Sequence, residues 1–289
     1  MGQEVARGPS GFSIGEALVE GTDRLRSIAD SARLEAECLL SHVTGLSREA
    51  LLAHPERLLA PQEMARYRHL LRRRATGYPL PYLTGHIEFY GLDFVVTPDV
   101  LIPRPETETL VDLALACRPR TVVDVGTGSG CIAVALAIHL PETQVYATDI
   151  SMSALRVAVL NARRHGVAHQ IRFLQCDLAT PLLGPVDLLV SNPPYVATEE
   201  WSDLPRSIRE HEPRLALDGG RNGLEVIRRL LEEAPRLLRP GGTLLIEIGA
   251  GQGRAALNLA RALLPTARPT LHPDLAGRDR VLEVQWRPR

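Results

Sequence analysis

The sequence predicts an α/β protein, a doubly wound and mostly parallel sheet preceded by a small N-terminal helical domain. From about residue 100 onward, short apolar runs alternate with helix-compatible segments, which is typical of strands and helices wound on both faces of a sheet. A glycine-rich turn joins one of these runs to the segment that follows it. Open sheets of this kind bind ligands at the carboxyl ends of their strands, so we expect the functional residues there.

The helical domain is predicted to span residues 1–76. Apolar residues recur at helical spacing in residues 36–40 and 64–71, with glycine and proline breaks between them. This pattern indicates a small helical bundle. The bundle ends in a basic stretch, residues 66–74, which is either a solvated helix face or a face that docks a partner.

A change of composition separates this bundle from the main domain. Aromatic and β-branched residues cluster in residues 89–96, so residues 77–99 are predicted to form a hairpin or an extended linker. The main domain, residues 100–289, carries the alternating runs. Its predicted strands are residues 121–125, 144–148, 171–175, 186–190, 242–249 and 280–286, and its predicted helices are residues 131–137, 224–238 and 253–264.

The first of these strands opens into a glycine turn that precedes a helix. Glycine lets the backbone adopt positive φ and approach a ligand closely, and a helix amino terminus attracts negative charge such as a carboxylate. The spacing is G-x-G-x-G, which differs from the G-x-G-x-x-G of dinucleotide sites. The next strand ends at an acid about twenty residues on, where nucleoside-binding folds place a partner for the ribose hydroxyls. The pattern predicts a nucleoside cofactor held by Gly126, Thr127, Gly128, Ser129, Gly130 and Asp149.

A second candidate site is Asn192, Pro193, Pro194 and Tyr195, directly after the apolar run 186–190. The two prolines cannot continue a sheet ladder, so the chain leaves the sheet there. The Asn192 side-chain oxygen and the carbonyl before a proline are two acceptors on a stiff frame, which together can hold one NH2 group. The motif predicts a reaction site for a planar amide or amine, with the Tyr195 ring against its plane. A tight loop in which Asn192 caps a turn would use the same residues.

These motifs resemble those of a known family. Residues 123–130, Asp149 and residues 192–195 are similar to the S-adenosylmethionine site and the NPPY motif of class I methyltransferases. Further segments resemble the PrmC/HemK-type release factor glutamine methyltransferases, namely residues 82–85, 102–108 and 212–220. The resemblance implies a seven-stranded methyltransferase sheet whose last strand is antiparallel, S-adenosyl-L-methionine as the cofactor, and a peptide chain release factor as the partner.

The activity that this resemblance implies is methyl transfer to the side-chain amide nitrogen of the glutamine in the Gly-Gly-Gln loop of release factors. Asn192 and the Pro193 carbonyl would accept the two amide hydrogens, and Tyr195 would pack on the amide plane. The glycine turn, residues 126–130, would surround the methionine part of the cofactor, and Asp149 would bind the ribose. The N-terminal helical domain is expected to dock the substrate.

By the same resemblance, Asp177 and Leu178 border the adenine of the cofactor. Family members often carry an aromatic residue where Leu178 stands, so we expect apolar packing there and not ring stacking. Asp177 fits a cofactor contact and a helix cap equally well. Arg104, Glu106 and Glu108 lie in a proline-bounded loop before the glycine turn, which either closes over the cofactor or carries solvated charges.

Composition agrees with this interpretation. The chain has 289 residues and a formal charge of -1, which does not favour binding to nucleic acid. It contains no lysine, which excludes a Schiff base and a Walker-type phosphate lysine. Its four cysteines form no C-x-x-C pair and its nine histidines show no ligand spacing, so no metal site is predicted. The start lacks a signal-peptide core and no segment is apolar enough to cross a membrane, so we expect a cytoplasmic enzyme. We also expect the enzyme to be a monomer.

Three other functions fit the same motifs. A ribosomal-protein glutamine methyltransferase would use the same amide chemistry. An adenine exocyclic-amine methyltransferase acting on DNA or RNA would hold a planar NH2 group in the same way, but it needs backbone contacts that only a basic patch near residues 72–74 offers. A non-catalytic cofactor-binding scaffold is the third.

Overall fold

The computed structural model describes residues 11–287 and divides into two units, Met1–Gly85 and His86–Arg289. The division falls after Gly85, within the segment 77–99 that the sequence suggested as a connection. The absence of a signal peptide was expected from residues 1–7, which lie outside the described residues. None of the helices within residues 11–287 is both long and apolar enough to cross a membrane.

The first unit is a helical bundle. Ser13 and Glu16 form a capping box at the start of its first helix, which satisfies backbone donors that a helix end leaves free. The Tyr67 ring is fully buried beside Gly21, where an added Cβ would lie 1.9 Å from the Tyr67 hydroxyl oxygen. The helices are α1 Ile14–Leu25, α2 Ala32–Thr44, α3 Arg48–Ala53, α4 Pro61–Ala75 and α5 Leu80–Thr84.

Some arginines of the basic stretch 66–74 form ion pairs with acidic residues of the same bundle. Arg68 forms an ion pair with Glu20 at 2.7 Å, and Arg74 forms one with Glu35 at 2.6 Å. The Arg73 guanidinium lies 4.0 Å from the centre of the Tyr78 ring. Two of the positive charges are therefore neutralised locally, while Arg66 and Arg72 remain on the exposed surface.

The second unit begins with a hairpin and continues as alternating strands and helices. The hairpin strands are β1 His86–Phe89 and β2 Leu92–Val95. The remaining strands are β3 Thr121–Val125, β4 Gln144–Asp149, β5 Ile171–Gln175, β6 Val186–Ser191, β7 Leu238–Glu247, β8 Arg268–Pro273 and β9 Asp279–Gln285. The helices are α6 Glu108–Ala116, α7 Cys131–His139, α8 Met152–Arg164, α9 Arg206–His211, α10 Glu225–Leu237 and α11 Gly253–Leu263.

Seven of these strands form one sheet in the order β5-β4-β3-β6-β7-β9-β8. The first five are parallel, and β9 is antiparallel to both β7 and β8. The predicted doubly wound, mostly parallel fold and its antiparallel last strand are confirmed. The strand order reverses between β3 and β6, and this switch point is where open α/β sheets bind ligands.

Apolar residues of the strands face two cores, one on each side of the sheet. Val122 faces the core that contains α6, α7 and the hairpin residues Phe89 and Phe94. Val123 faces the core that contains α10 and α11. Because successive side chains of a strand point to opposite faces, strands buried on both sides are continuous apolar runs.

Candidate active site

The carboxyl ends of β3, β4 and β6, together with the segment after β5, surround a cavity of about 240 Å³. The structure brings most of the predicted site residues together on its wall. They are Gly126, Thr127, Gly128, Ser129, Asp149, Asp177, Leu178, Asn192, Pro193 and Pro194. Gly130 and Tyr195, which the sequence also suggested, are not among the residues that line this cavity.

The glycine turn after β3 is open towards the cavity. Gly126 and Gly128 have φ of +72° and +56°, a conformation that residues with a side chain adopt at a cost. A Cβ added at Gly126 would meet no atom within 4 Å, and one added at Gly128 would meet only the Gly126 carbonyl oxygen at 4.0 Å. The backbone is thus exposed to a ligand where side chains would fill the space, which fits a bound nucleoside cofactor.

Gly130 has a different function in the same turn. Its φ is +81°, and a Cβ added there would lie 3.0 Å from the Ala158 Cβ in α8. That separation is shorter than ordinary van der Waals contact, so glycine permits the close packing of the turn on α8. The third glycine therefore determines helix packing, whereas the first two border the cavity.

Asp149, at the end of β4, holds the turn in place. Its Oδ2 accepts a hydrogen bond from the Gly128 amide at 2.9 Å, and its Oδ1 accepts one from the Ser151 amide at 2.8 Å. Burial raises the pKa of this carboxyl above its ordinary value. Each carboxylate oxygen can accept more than one hydrogen bond, so Asp149 retains capacity for ligand hydroxyls on the cavity side.

Asp177 and Leu178 follow β5 at the far side of the cavity. The Asp177 carboxylate pairs with Arg229 of α10 at 2.6 Å. No helix begins at Asp177 in the structure, so its alternative interpretation as a helix cap is wrong. Leu178 has a φ of +51°, which is unusual for a residue with a side chain. Both residues line the cavity, and Leu178 offers it an apolar surface.

Asn192 follows β6 and lies at the boundary between two cavities. It lines the large cavity and also a smaller one, of about 30 Å³, whose wall includes Arg104 and Tyr195. Its Nδ2 donates a hydrogen bond to the Thr107 hydroxyl at 3.1 Å. The amide nitrogen is thereby occupied by the protein, which leaves Oδ1 as the acceptor for a ligand. Among the described residues, the hydrogen-bond partner of the Asn192 side chain is Thr107 and not a backbone amide of its own turn, which does not favour the interpretation of Asn192 as a turn cap.

Two residues in this network were not predicted from the sequence. Thr107 donates its hydroxyl proton to Glu247 Oε2 at 2.7 Å, and the Tyr195 hydroxyl donates to Glu247 Oε1 at 3.3 Å. Glu247 is fully buried at the end of β7, and burial raises its pKa to about 7. The signal for Glu247 was a charged residue in the otherwise apolar run 244–248, where a buried carboxylate needs hydrogen-bonding partners.

The backbone at Tyr195 is held by the segments around it. The Tyr195 backbone carbonyl accepts a hydrogen bond from Gln252 Nε2 at 2.8 Å. A Cβ added at Gly219 would lie 2.6 Å from the Pro194 carbonyl oxygen, so the two segments approach closely. Burial raises the pKa of the Tyr195 hydroxyl, which keeps it protonated as a donor to Glu247. The prolines and these contacts make the segment 192–195 stiff, with Pro193 and Pro194 on the wall of the large cavity and Tyr195 on the wall of the smaller one.

The charged loop before α6 borders both cavities, and two of its charges have partners in the protein. Arg104 pairs with the buried Glu212 at 2.5 Å, and Glu212 also accepts a hydrogen bond from the Ile102 amide. Glu108 accepts one from the Tyr90 amide at 2.8 Å. Arg104 and Glu108 are therefore partly buried and bonded within the protein, whereas Glu106 is exposed.

The described residues contain no cluster of three or more His, Cys, Asp or Glu side chains arranged to hold a metal ion. The site thus consists of backbone groups, carboxylates, one amide and apolar walls. Such a set can bind a nucleoside and can hold a planar nitrogen by hydrogen bonds to its hydrogens.

Comparison with known proteins identifies relatives along most of the chain. Residues 16–85 match the model of the PrmC N-terminal domain, and residues 106–220 match that of the methyltransferase small domain. The release factor glutamine methyltransferase of Moorella thermoacetica is 50% identical over 275 residues, covering 93% of this chain and 97% of that protein. The protein of the same name from Cereibacter sphaeroides is 42% identical, covering 93% of this chain and 97% of its own length.

A solved structure with a similar fold is a methyltransferase from Pyrococcus furiosus. It aligns with a TM-score of 0.53 over 69% of this chain and 91% of its own, at 18% sequence identity. At this identity the likeness concerns the fold alone, and the fold agrees with the sheet order described above.

Proposed function

Because this chain belongs to the release factor glutamine methyltransferase family, we propose that Asn192 and the Pro193 carbonyl hold the amide nitrogen of a substrate glutamine beside the bound cofactor. The enzyme methylates the side-chain amide nitrogen of the glutamine in the Gly-Gly-Gln motif of peptide chain release factors, and its cofactor is S-adenosylmethionine. The relatives of that name cover nearly the whole chain, including the helical unit.

The observation that carries the assignment of Asn192 is its position at the wall between the two cavities, with its Nδ2 already bonded to Thr107. The large cavity has the open glycine turn and Asp149, which fit the cofactor. The smaller cavity has Tyr195, which fits the flat amide of the substrate. Asn192 Oδ1 is left as the acceptor between them, where the two reacting groups must meet.

The chemistry depends mainly on alignment. An amide nitrogen is a weak nucleophile because its lone pair is delocalised into the carbonyl group. When bound, S-adenosylmethionine supplies a methyl group already activated by its sulfonium centre. Asn192 Oδ1 and the Pro193 carbonyl accept the two amide hydrogens, which fixes the direction of the nitrogen, and such positioning lowers the barrier without a protein nucleophile.

Binding of the cofactor is assigned to the large cavity. Gly126, Thr127, Gly128 and Ser129 form the wall nearest to the start of α7, where the positive end of the helix dipole favours a carboxylate. Asp149 is the acceptor for ribose hydroxyls. Asp177 and Leu178 border the adenine, with Leu178 packing against the ring. The role assigned to Gly130 is the packing of the turn, since an added Cβ there would meet Ala158.

The expected protein partner, oligomeric state and cellular location are based on the proposed activity. We expect the release factor to bind directly, with the helical unit contributing to docking through exposed arginines such as Arg66 and Arg72. The formal charge of -1 supports a protein substrate over a nucleic acid. A monomer acting in the cytoplasm is the simplest arrangement for an enzyme of translation termination.

The test is transfer of labelled methyl from S-adenosylmethionine to three acceptors offered in parallel: a release factor, its Gly-Gly-Ala variant and duplex DNA. We expect label on the release factor that is absent from the variant. Label on DNA alone would favour the adenine methyltransferase. Label on none of the three would leave the scaffold or an untried protein such as a ribosomal protein, which a ribosomal-protein arm distinguishes.

A further inference from the structure

We propose that Thr107 and Glu247 are positioning residues that fix the direction of the Asn192 amide, so that its oxygen and not its nitrogen faces the substrate. This inference rests on the role of Asn192 proposed above. It concerns two residues that lie 140 positions apart and meet only in the folded protein.

The direction of each hydrogen bond follows from the protons available. Thr107 has one hydroxyl proton, and Glu247 Oε2 lies 2.7 Å from the Thr107 oxygen. An ionised carboxylate can only accept, so the Thr107 proton is committed to Glu247. The Thr107 oxygen can then only accept from Asn192, and the group 3.1 Å away must be the Asn192 NH2. The amide oxygen is thereby directed to the opposite side.

Burial makes this arrangement specific. Thr107 is 1% exposed and Glu247 is 0% exposed, so water does not compete for their hydrogen bonds. If the Asn192 amide were flipped, its oxygen would face the Thr107 oxygen with no proton between them. Two acceptors at that distance repel each other, so the flipped state is disfavoured while Glu247 is ionised.

The register of the sheet places the carboxyl ends of β6 and β7 side by side. Ser191 of β6 is paired with Ile246 of β7, so the next residues along each strand, Asn192 and Glu247, emerge side by side at the sheet edge. Thr107 reaches them from the loop before α6. The loop therefore contributes to the site through Thr107, in addition to the two charges that pair elsewhere.

Several charged or titratable groups surround Glu247. Tyr195 donates to its other oxygen, while Arg280 favours its ionised form and Glu106 disfavours it. Cys131 is also near enough to interact with its charge. Burial outweighs the favourable contacts and raises the pKa of Glu247 to about 7. At lower pH the Glu247 carboxyl would be protonated and could itself donate a hydrogen bond to the Thr107 oxygen. The Thr107 hydroxyl could then donate to Asn192, and the preference for one direction of the Asn192 amide would be lost.

The experiment compares Thr107→Val, which removes the hydroxyl at nearly constant shape, with Thr107→Ser, which restores it. The matched control is Thr143→Val, because Thr143 is also a buried threonine with one hydroxyl hydrogen bond, to the Pro119 carbonyl, at the opposite edge of the sheet. We expect kcat for the release factor to fall about 10- to 100-fold in Thr107→Val, with KM and cofactor Kd within about threefold. Thr107→Ser should recover most of kcat, and Thr143→Val should leave it within about twofold.

A second variant tests the carboxylate. Glu247→Gln keeps the shape but cannot ionise, so its kcat should change little between pH 5.5 and 8, whereas wild-type kcat should rise with pH through this range. A third readout needs no turnover. In the free wild-type protein, NMR should show one Asn192 side-chain NH proton that exchanges slowly with solvent, and this protection should be lost in Thr107→Val.

Unchanged kcat and unchanged Asn192 exchange in Thr107→Val would overturn the inference, as would a pH profile of Glu247→Gln that matches the wild type. If Thr107→Val does not fold, the Glu247→Gln pH profile still decides it. Failure of the proposed function is distinguishable, because the wild-type enzyme would then not label a release factor at all.

Discussion

Within residues 11–287 the Asn192 side chain forms one hydrogen bond, and that bond determines what it can offer to a ligand. Its nitrogen is bonded to Thr107, and its oxygen is left at the wall between two cavities. An acceptor held in one direction before the substrate arrives needs no reorganisation during the reaction, which is the basis of electrostatic preorganisation.

Removal of this acceptor should separate turnover from cofactor binding. We expect Asn192→Ala to lose most of kcat while its cofactor Kd stays within a few-fold, because the lost contact is used mainly in the transition state. Methyl transfer and calorimetric titration with S-adenosylmethionine measure the two quantities. An equal loss of both would show that Asn192 serves the cofactor and not the acceptor nitrogen.

Asp149→Ala should have the opposite effect. The variant loses the acceptor that we propose for the ribose hydroxyls and also the bond that holds the Gly128 amide. We expect cofactor binding to weaken by about 1–3 kcal/mol, the size of a lost charge-assisted hydrogen bond. Titration of the cofactor measures the change, and an unchanged Kd would remove Asp149 from the binding site.

A third carboxyl affects stability instead of binding. Asp124 of β3 is fully buried, and burial raises its pKa to about 7. Because the folded state holds this proton more tightly than the unfolded state, the contribution of Asp124 is complete below its unfolded pKa of about 4 and is lost as the pH rises through about 7. Its size is at most roughly 4 kcal/mol.

Asp124→Asn should therefore reduce the decline of stability between pH 4.5 and 8. Denaturant unfolding at both pH values measures the free energy of unfolding. Glu247 titrates in the same direction over the same range, so some decline should remain in the variant. A decline equal to that of the wild type would mean that Asp124 stays ionised in the folded protein.

At the scale of elements, the turn between β3 and α7 combines two requirements in five residues. Gly126 and Gly128 leave space for a ligand, while Gly130 permits contact with α8. A side chain would be unfavourable at these positions for different reasons. At Gly126 it would strain the backbone and fill space that is open to a ligand, whereas at Gly130 it would overlap with Ala158.

Gly126→Ala should lose about 1 kcal/mol of stability from its positive φ, and its cofactor affinity should fall because the methyl group occupies open space on the cavity wall. The matched control is Gly166→Ala. Gly166 has a φ of +73° and equally open surroundings but does not line the cavity. Thermal unfolding and cofactor titration should show equal destabilisation and a loss of binding only in Gly126→Ala. Equal cofactor Kd values in the two variants would contradict the assignment.

The strand β8 could not be predicted from the local sequence pattern. It was not predicted, because it begins and ends near prolines, Pro269 and Pro273, which interrupt a sheet ladder. In the structure β8 is an edge strand paired only with β9 within the described residues, and an edge strand tolerates prolines on its free side. The helices α6 and α8 were also not predicted from the sequence.

At the scale of the whole molecule, the chemistry and the helical bundle belong to different units. Every residue that lines the large cavity lies in His86–Arg289, and this unit contains its own two apolar cores. The bundle has a separate core around Tyr67. Binding of the cofactor and recognition of a large protein substrate are therefore expected to be separable.

A truncated chain that begins at His86 should bind S-adenosylmethionine within a few-fold of the full chain. Its kcat/KM for a release factor should fall at least about tenfold, mainly through KM, because docking contacts are lost while the reacting groups remain. Titration and steady-state kinetics measure both, with circular dichroism to verify folding. Full kcat/KM in the truncated chain would remove the bundle from substrate recognition.

The sequence by itself determined the alternation of strands and helices, the glycine turn and the proline-bounded segment that begins at Asn192. These features are local: periodicity, turn residues and prolines act over a few neighbouring positions. It also carried the resemblance that the relatives of this chain support, with the cofactor and the reaction.

Only the tertiary structure decided which distant side chains meet. Thr107 joins Glu247 across 140 positions and Asn192 across 85, and Arg104 joins Glu212 across 108. Such contacts depend on strand order and register, which no short segment of sequence contains. The physical reason is burial, because a carboxylate or hydroxyl buried at the sheet edge is stable only with hydrogen-bonding partners. The folded arrangement of the strands determines which residues are near enough to be those partners.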